Sequence, residues 1–111
     1  MKRIAIPVSN NRLCAHFGHS ERFYLYDIKD GIIVKETQLV PPPHEPGLLP
    51  KWLHRHLVTD VIAGGLGQRA ISQLNLHKIN VFVGAPLKPP AELIDDHMHG
   101  CLRLSENYCD H

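Results

Sequence analysis

Apolar residues recur along this chain at two spacings, and the change from one to the other divides it into two halves. In "RIAIPVS" (3–9), Ile4, Ile6 and Val8 fall on one side and Ala5 and Pro7 on the other, the alternation of a strand with small groups on one face. "FYLYDI" (23–28) and "GIIVKETQL" (31–39) alternate likewise and meet at Asp30-Gly31, a pair that favours a tight hairpin turn. "VPPPHEPG" (40–47) has four prolines in eight positions, which excludes helix and central strand and predicts a stiff, extended loop. Beyond it the period lengthens. Leu49, Trp52, Leu53, His56 and Leu57 recur at i, i+3, i+4, i+7 and i+8, one stripe of a helix with Pro50 in its first turn. Residues 61–63 read as a short buried strand opening into "GGLG", and residues 68–76 as a helix with Ala70, Ile71 and Leu74 inward. "INVFVGA" is another short strand. Pro90 opens a third helix through Leu93, Ile94 and His97, and Gly100 stops it. The last eleven residues, 101–111, carry no clear period.

The predicted order is βββαβαβα, an α/β chain in which a hairpin-led half precedes two β-α units with right-handed crossovers. With the five strands numbered in chain order, this suits a mixed sheet of order 3-2-1-4-5, strand 2 antiparallel, with helices on both faces. In such sheets ligands collect beyond the carboxyl ends of the strands, where neighbouring connections diverge. Three segments leave the strands there: "SNNRLCAHFGHSER", "GGLGQ" and "GAPLKP". The expected domain covers residues 1–100, with 101–111 as a tail.

Composition removes several partners. Twelve Lys and Arg against eleven Asp and Glu give a net charge of +1, too weak a field to recruit nucleic acid or acidic lipid. No apolar run approaches the roughly 20 residues of a membrane-spanning helix. The amino end moves straight into strand-like alternation without a secretory pattern, so the expectation is a cytoplasmic protein. Three cysteines, an odd number, are expected to stay as thiols.

The candidate chemistry lies in the first loop. Cys14, His16 and His19 fall within six positions, and thiolate and imidazole suit soft and borderline metals. Cys14 reads equally as a small buried apolar group. Phe17 is expected to plug the core edge and Gly18 to take a positive φ. His44 sits among prolines that would hold a ligand or lid still. Gly64, Gly65 and Gly67 let backbone come close to a bound group, and the helix start after them offers unpaired N–H groups to an anion. Arg69 either adds positive charge there or is solvated. "GGLG" lacks both the dinucleotide and the P-loop spacing. His54 and His56 are two apart on a helix and cannot chelate as a pair; His56 is expected to pack, His54 to be solvated, and His77 to be a surface residue. Cys101 and Cys109 with His99 and His111 form pairs with only one intervening residue, shorter than zinc sites use.

"IAIPVS", "HFGHSERFYLYDI", "PPPHEPGLLPKWL" and "VIAGGLGQRAISQLNLHKINVFVGA" together resemble the dinitrogenase iron-molybdenum cofactor biosynthesis domain family, over about residues 2–98. The resemblance implies a ribonuclease-H-like fold and the binding or carrying of metal–sulfur clusters, either nitrogenase cofactor precursors or other molybdenum-containing clusters. It also places the pocket where the first loop, the Pro-rich loop and the glycine turn converge. The expected cluster-binding set is Cys14, His16, Gly18, His19, His44, Gly64, Gly65, Gly67 and Arg69, with Cys14, His16 and His19 as metal ligands. Cluster donor and acceptor proteins are the expected partners, and a homodimer is compatible with the sequence. A zinc-binding or regulatory module without a cluster is the alternative. A nuclease is disfavoured because no carboxylates converge at the strand ends to hold two divalent metals, and no nucleophilic triad is apparent, so the expectation is a protein that is not an enzyme.

Overall fold

Asp30 and Gly31 both take positive φ, 53° and 75°, the geometry an Asp-Gly pair adopts at least cost in a two-residue hairpin. They join β3 (Arg22–Lys29) to β4 (Ile32–Leu39), paired antiparallel from Phe23↔Leu39 to Lys29↔Ile32 with an irregularity at Asp27/Ile28. The structure is a computed structural model that describes residues 1–43, 45 and 47–106. β1 (Lys2–Ser9) lies antiparallel to β3 and parallel to β5 (Asp60–Ile62), and β6 (Asn80–Phe82) lies parallel to β5.

The mixed sheet with helices on both faces is as expected; its strand count and order are not. It has six strands rather than five, in the order β4-β3-β1-β5-β6, with β2 (Arg12–Leu13) paired to β1 off that path. Asn10 and Asn11, at φ 55° and 63°, fold the chain straight back on itself. Asparagine tolerates the left-handed region better than most residues. The stretch expected to be loop therefore begins as a hairpin arm, and each later strand moves up one place in the numbering.

Alternation along β1 sorts two cores. Ala5 joins Phe23, Leu25, Val61 and Ala63 beneath α1 (Leu48–Arg55) and α2 (Gln68–Leu76). Ile4, Ile6 and Val8 join Tyr26, Ile62, Leu93 and Ile94 beneath α3 (Pro90–Met98). α2 has the span expected. The stripe of α1 ends earlier than expected: Leu57 lies outside the helix at φ 62° and is 72% exposed. The N–H of Leu57 bonds His54 O and that of Val58 bonds Leu53 O, so the chain turns out of the helix through a Schellman motif. Val58 then takes the buried place that the periodicity assigns to Leu57.

At the amino end of the sheet, Arg3 grips the buried Asp27 through two bonds of 2.6 and 3.0 Å. Asp60 accepts from Thr59 Oγ1 and Asn80 Nδ2. Both buried carboxylates are thus engaged in holding strands together. Leu102, beyond α3, packs against the second core, and Ser105 bonds Gly84. Among the described residues no helix is long and apolar enough to cross a membrane.

Candidate functional site

The residues after β2 cross the end of the sheet and pair with the glycine turn through backbone. Gly65 N–H donates to Ala15 O at 2.7 Å, and Phe17 N–H donates to Gly65 O at 3.3 Å, a short parallel bridge centred on His16 and Gly65. Residues 17–19 then form one 3-10 turn, closed by His19 N–H to His16 O at 3.0 Å. Phe17 is buried as expected, its ring edge-on to Phe23 at 5.6 Å, and Phe23 packs in turn on Trp52 at 5.5 Å. That aromatic chain ties the loop to α1.

The result is a cavity of about 420 Å³ between the 3-10 turn, the start of α1 and the start of α2. His16, Gly18 and His19 line it from the first loop, Gly65, Gly67 and Arg69 from the glycine turn and the start of α2, and Gly47, Pro50, Ala70 and Gln73 from the two helices. The imidazoles of His16 and His19 are exposed, with ring centroids 5.8 Å apart.

Two helices begin at this cavity without a capping side chain, α1 after Gly47 and α2 after Gly67. The Ile71 N–H bonds Gly67 O, which leaves the N–H groups of residues 68–70 before the first intrahelical bond. A helix start of this kind carries roughly half a positive charge, and Arg69 adds a full one. Among the described residues only Glu45 brings a carboxylate to the lining.

Of the expected site residues, His16, Gly18, His19, Gly65, Gly67 and Arg69 are brought together. Cys14 and Gly64 stand outside the lining. The Cys14 thiol is buried and donates to His16 O at 3.1 Å, the small apolar role rather than that of an open ligand. The expected trio of Cys14, His16 and His19 does not assemble: among the described residues no three His, Cys, Asp or Glu gather closely enough to hold a metal ion. Gly64 works one layer back, its carbonyl accepting Gly84 N–H at 2.8 Å. Gly18 does not take the expected positive φ, because it lies within the right-handed 3-10 turn. His44 falls outside the described residues, as do Cys109 and His111 of the tail pairs. Cys101 is exposed and turned to His99 O at 3.5 Å.

Residue types alone missed Gly47, at φ 79°, which sets α1 against Gln73 of α2. Its signal was present, a glycine ending a Pro-rich run three residues before Pro50. His56 packs on Trp52 at 4.9 Å, as expected. His54 and His77, expected to stand apart at the surface, stack at 4.5 Å across the ends of α1 and α2.

Comparison with solved structures gives the same fold. The protein PH0822 superposes with a TM-score of 0.87 at 28% identity, covering 93% of this chain and 94% of that one. The apo form of the orange protein from Desulfovibrio gigas superposes with a TM-score of 0.74 at 16% identity, covering 96% and 95%. An uncharacterized protein of Methanocaldococcus jannaschii, MJ0580, is 46% identical over 33 residues, which is 30% of this chain and only 28% of that protein. The family described as dinitrogenase iron-molybdenum cofactor matches residues 1–100, nearly the whole sheet-and-helix unit described above, and this chain belongs to it.

Proposed function

We propose that this protein is a carrier rather than an enzyme, and that its cargo is an anionic metal–sulfur cluster, an iron-molybdenum cofactor precursor or a related molybdenum-containing cluster. The observation that carries this reading is the bridge between His16 and Gly65. It brings two imidazoles, an uncapped helix start and Arg69 to one hollow. Family membership supports the cargo class.

The lining defines what such a guest must supply. Among the described residues no cysteine lines the cavity, so the cargo arrives with its sulfides in place. Backbone N–H groups of residues 68–70 and the Arg69 guanidinium bond to those sulfides, while His16 or His19 reaches a metal. Anchoring through several weak points lets the cluster be passed from a donor protein to an acceptor, whereas a closed four-ligand site would retain it. The carboxylates that a two-metal hydrolase would need are occupied elsewhere: Asp27 by Arg3, Asp60 by Thr59 and Asn80. The same proposal takes the mixed sheet with helices on both faces as a ribonuclease-H-like fold used for binding, and takes the cytoplasm as the place of work.

Anaerobic reconstitution with iron, molybdate and sulfide tests the proposal. Metal and sulfide are expected in fixed ratio with a visible absorption band. The double variant His16→Ala, His19→Ala is expected to keep its circular dichroism and lose most of the loading. Zinc alone on the purified protein, or undiminished loading in the double variant, overturns the proposal.

A further inference from the structure

The chain has two methionines, and both line the same cavity. It lies at the end of the sheet opposite the glycine turns, has a volume of about 350 Å³, and is bounded by Met1 and Lys2, the Asp30-Gly31 turn, and His97 and Met98 at the end of α3. Lys2 pairs with Ile28, so the start of β1 runs beside the hairpin turn. Met98 is packed against the second core, whereas Met1 is 81% exposed. One thioether is therefore fixed among packed side chains, and the other stands exposed at the mouth of the same cavity.

Two thioethers and an imidazole are a selective donor set. Thioether sulfur is uncharged, soft and needs no deprotonation, so it favours Cu(I) over the harder divalent cations, which seek oxygen and nitrogen. Among the described lining residues Asp30 brings the one carboxylate and Lys2 a positive charge, so little negative charge is on hand to hold a divalent cation. The His97 ring stands edge-on to Phe82 at 5.2 Å.

We propose that Met1, His97 and Met98 form a binding site for a soft monovalent cation of the Cu(I) class. The site shares no residue with the cavity at the glycine turns, so it stands or falls independently of the carrier reading.

Ag(I), an air-stable cation of the same charge and closed shell, is the probe. The full chain labelled with 13C at the methionine methyls gives two resonances. Ag(I) is added beyond the three equivalents that the three thiols take up. Both methyl resonances and the His97 ring signals are expected to shift together on one saturation curve. His97→Gln is expected to weaken that curve at least tenfold. Met98→Leu, which preserves apolar volume and is checked by an unchanged melting temperature, is expected to stop the Met1 methyl from shifting over the same range. Cluster loading at the other cavity is expected to be untouched by either change. Methyl resonances that stay still while the thiols fill, or a Met1 methyl that responds equally in the Met98→Leu protein, overturn the proposal.

Discussion

Replacing Gly67 by aspartate moves stability and cargo affinity in opposite directions. Gly67 is the N-cap of α2, with φ −65° and ψ 153° and no capping side chain, and a Cβ built there meets nothing within 4 Å. Asp therefore fits without strain, and its carboxylate accepts from the N–H groups of the first turn. Losing the glycine's freedom in the unfolded chain contributes about 0.5 kcal/mol. The better cap adds a few tenths, and the negative charge at the helix start about 0.5 kcal/mol. The variant is expected to be more stable by about 1 kcal/mol. On the carrier reading, the same carboxylate occupies the donors proposed for the cargo and repels it. At roughly 6 Å and an effective dielectric near 20, one unit of guest charge loses about 3 kcal/mol, on the order of 100-fold in affinity, and less in high salt. Urea unfolding measures the first effect and anaerobic cluster loading the second. Gly67→Ser, which caps without charge, separates them: it is expected to keep most of the stability gain and far more of the loading. A Gly67→Asp protein that loads like the parent would refute the reasoning, as would one that is less stable.

Two further changes test the scaffold. Gly84 has φ 79°, and a Cβ there falls 2.0 Å from Ser105 O, so Gly84→Ala combines about 1–2 kcal/mol of backbone strain with loss of the two bonds from Ser105 to Gly84 O, about 1 kcal/mol each. Urea unfolding is expected to show a cost of about 3 kcal/mol, falling to the strain alone in a chain cut after residue 100; equal costs in the two chains would rule out the clash. Tyr26 is 3% exposed and its hydroxyl has no hydrogen-bond partner; Glu36, opposite it in the register, faces the phenol without completing a bond. Burial first, then the Glu36 carboxylate, pushes its pKa well above the usual phenol range, so its neutral form costs nothing below the unfolded value near pH 10, and stability drains away above it as the unfolded chain ionises. Tyr26→Phe is expected to be neutral or slightly stabilising at pH 7 and to lose less stability than the parent between pH 8 and pH 11; parallel losses in urea unfolding would contradict this.

The parts of the fold that were legible are those in which one residue type carries the instruction. Asp30-Gly31 specifies its turn and the alternation in β1 sorts the two cores. Helix ends show the limit. All three helices leave through the same pair of bonds, Leu57 and Val58 after α1, Lys78 and Ile79 after α2, Gly100 and Cys101 after α3. Only the third uses glycine. Leu57 and Lys78 take φ near 62° at a steric cost, offset because the next residue, Val58 or Ile79, drops fully into the core beneath Leu53 or Leu74. That compensation is tertiary, and a local pattern of apolar positions cannot contain it. The same holds for Asn10-Asn11, whose turn is fixed by β2 finding β1.

The site divides along the same line. Residue chemistry picks out side chains that hold metals, and it grouped Cys14 with His16 and His19 because they are close in sequence. The bond from Gly65 N–H to Ala15 O sets the loop's backbone against the glycine turn. Once the backbone is fixed there, position 14 faces inward and positions 16 and 19 face the cavity. On the carrier reading most of the binding capacity then resides in backbone groups, the N–H groups at the start of α2, made available by Gly67 and the absence of a cap. Any residue but proline can follow Gly67 without altering those donors, so the letters at 68–70 carry little information about them. What does carry information is the missing cap: an Asp at position 67 would satisfy the helix and close the site, and glycine leaves both open. On the carrier reading, stability forgone at that one position marks a surface kept for a guest, which is why the Gly67→Asp comparison tests that reading more directly than any substitution of a histidine.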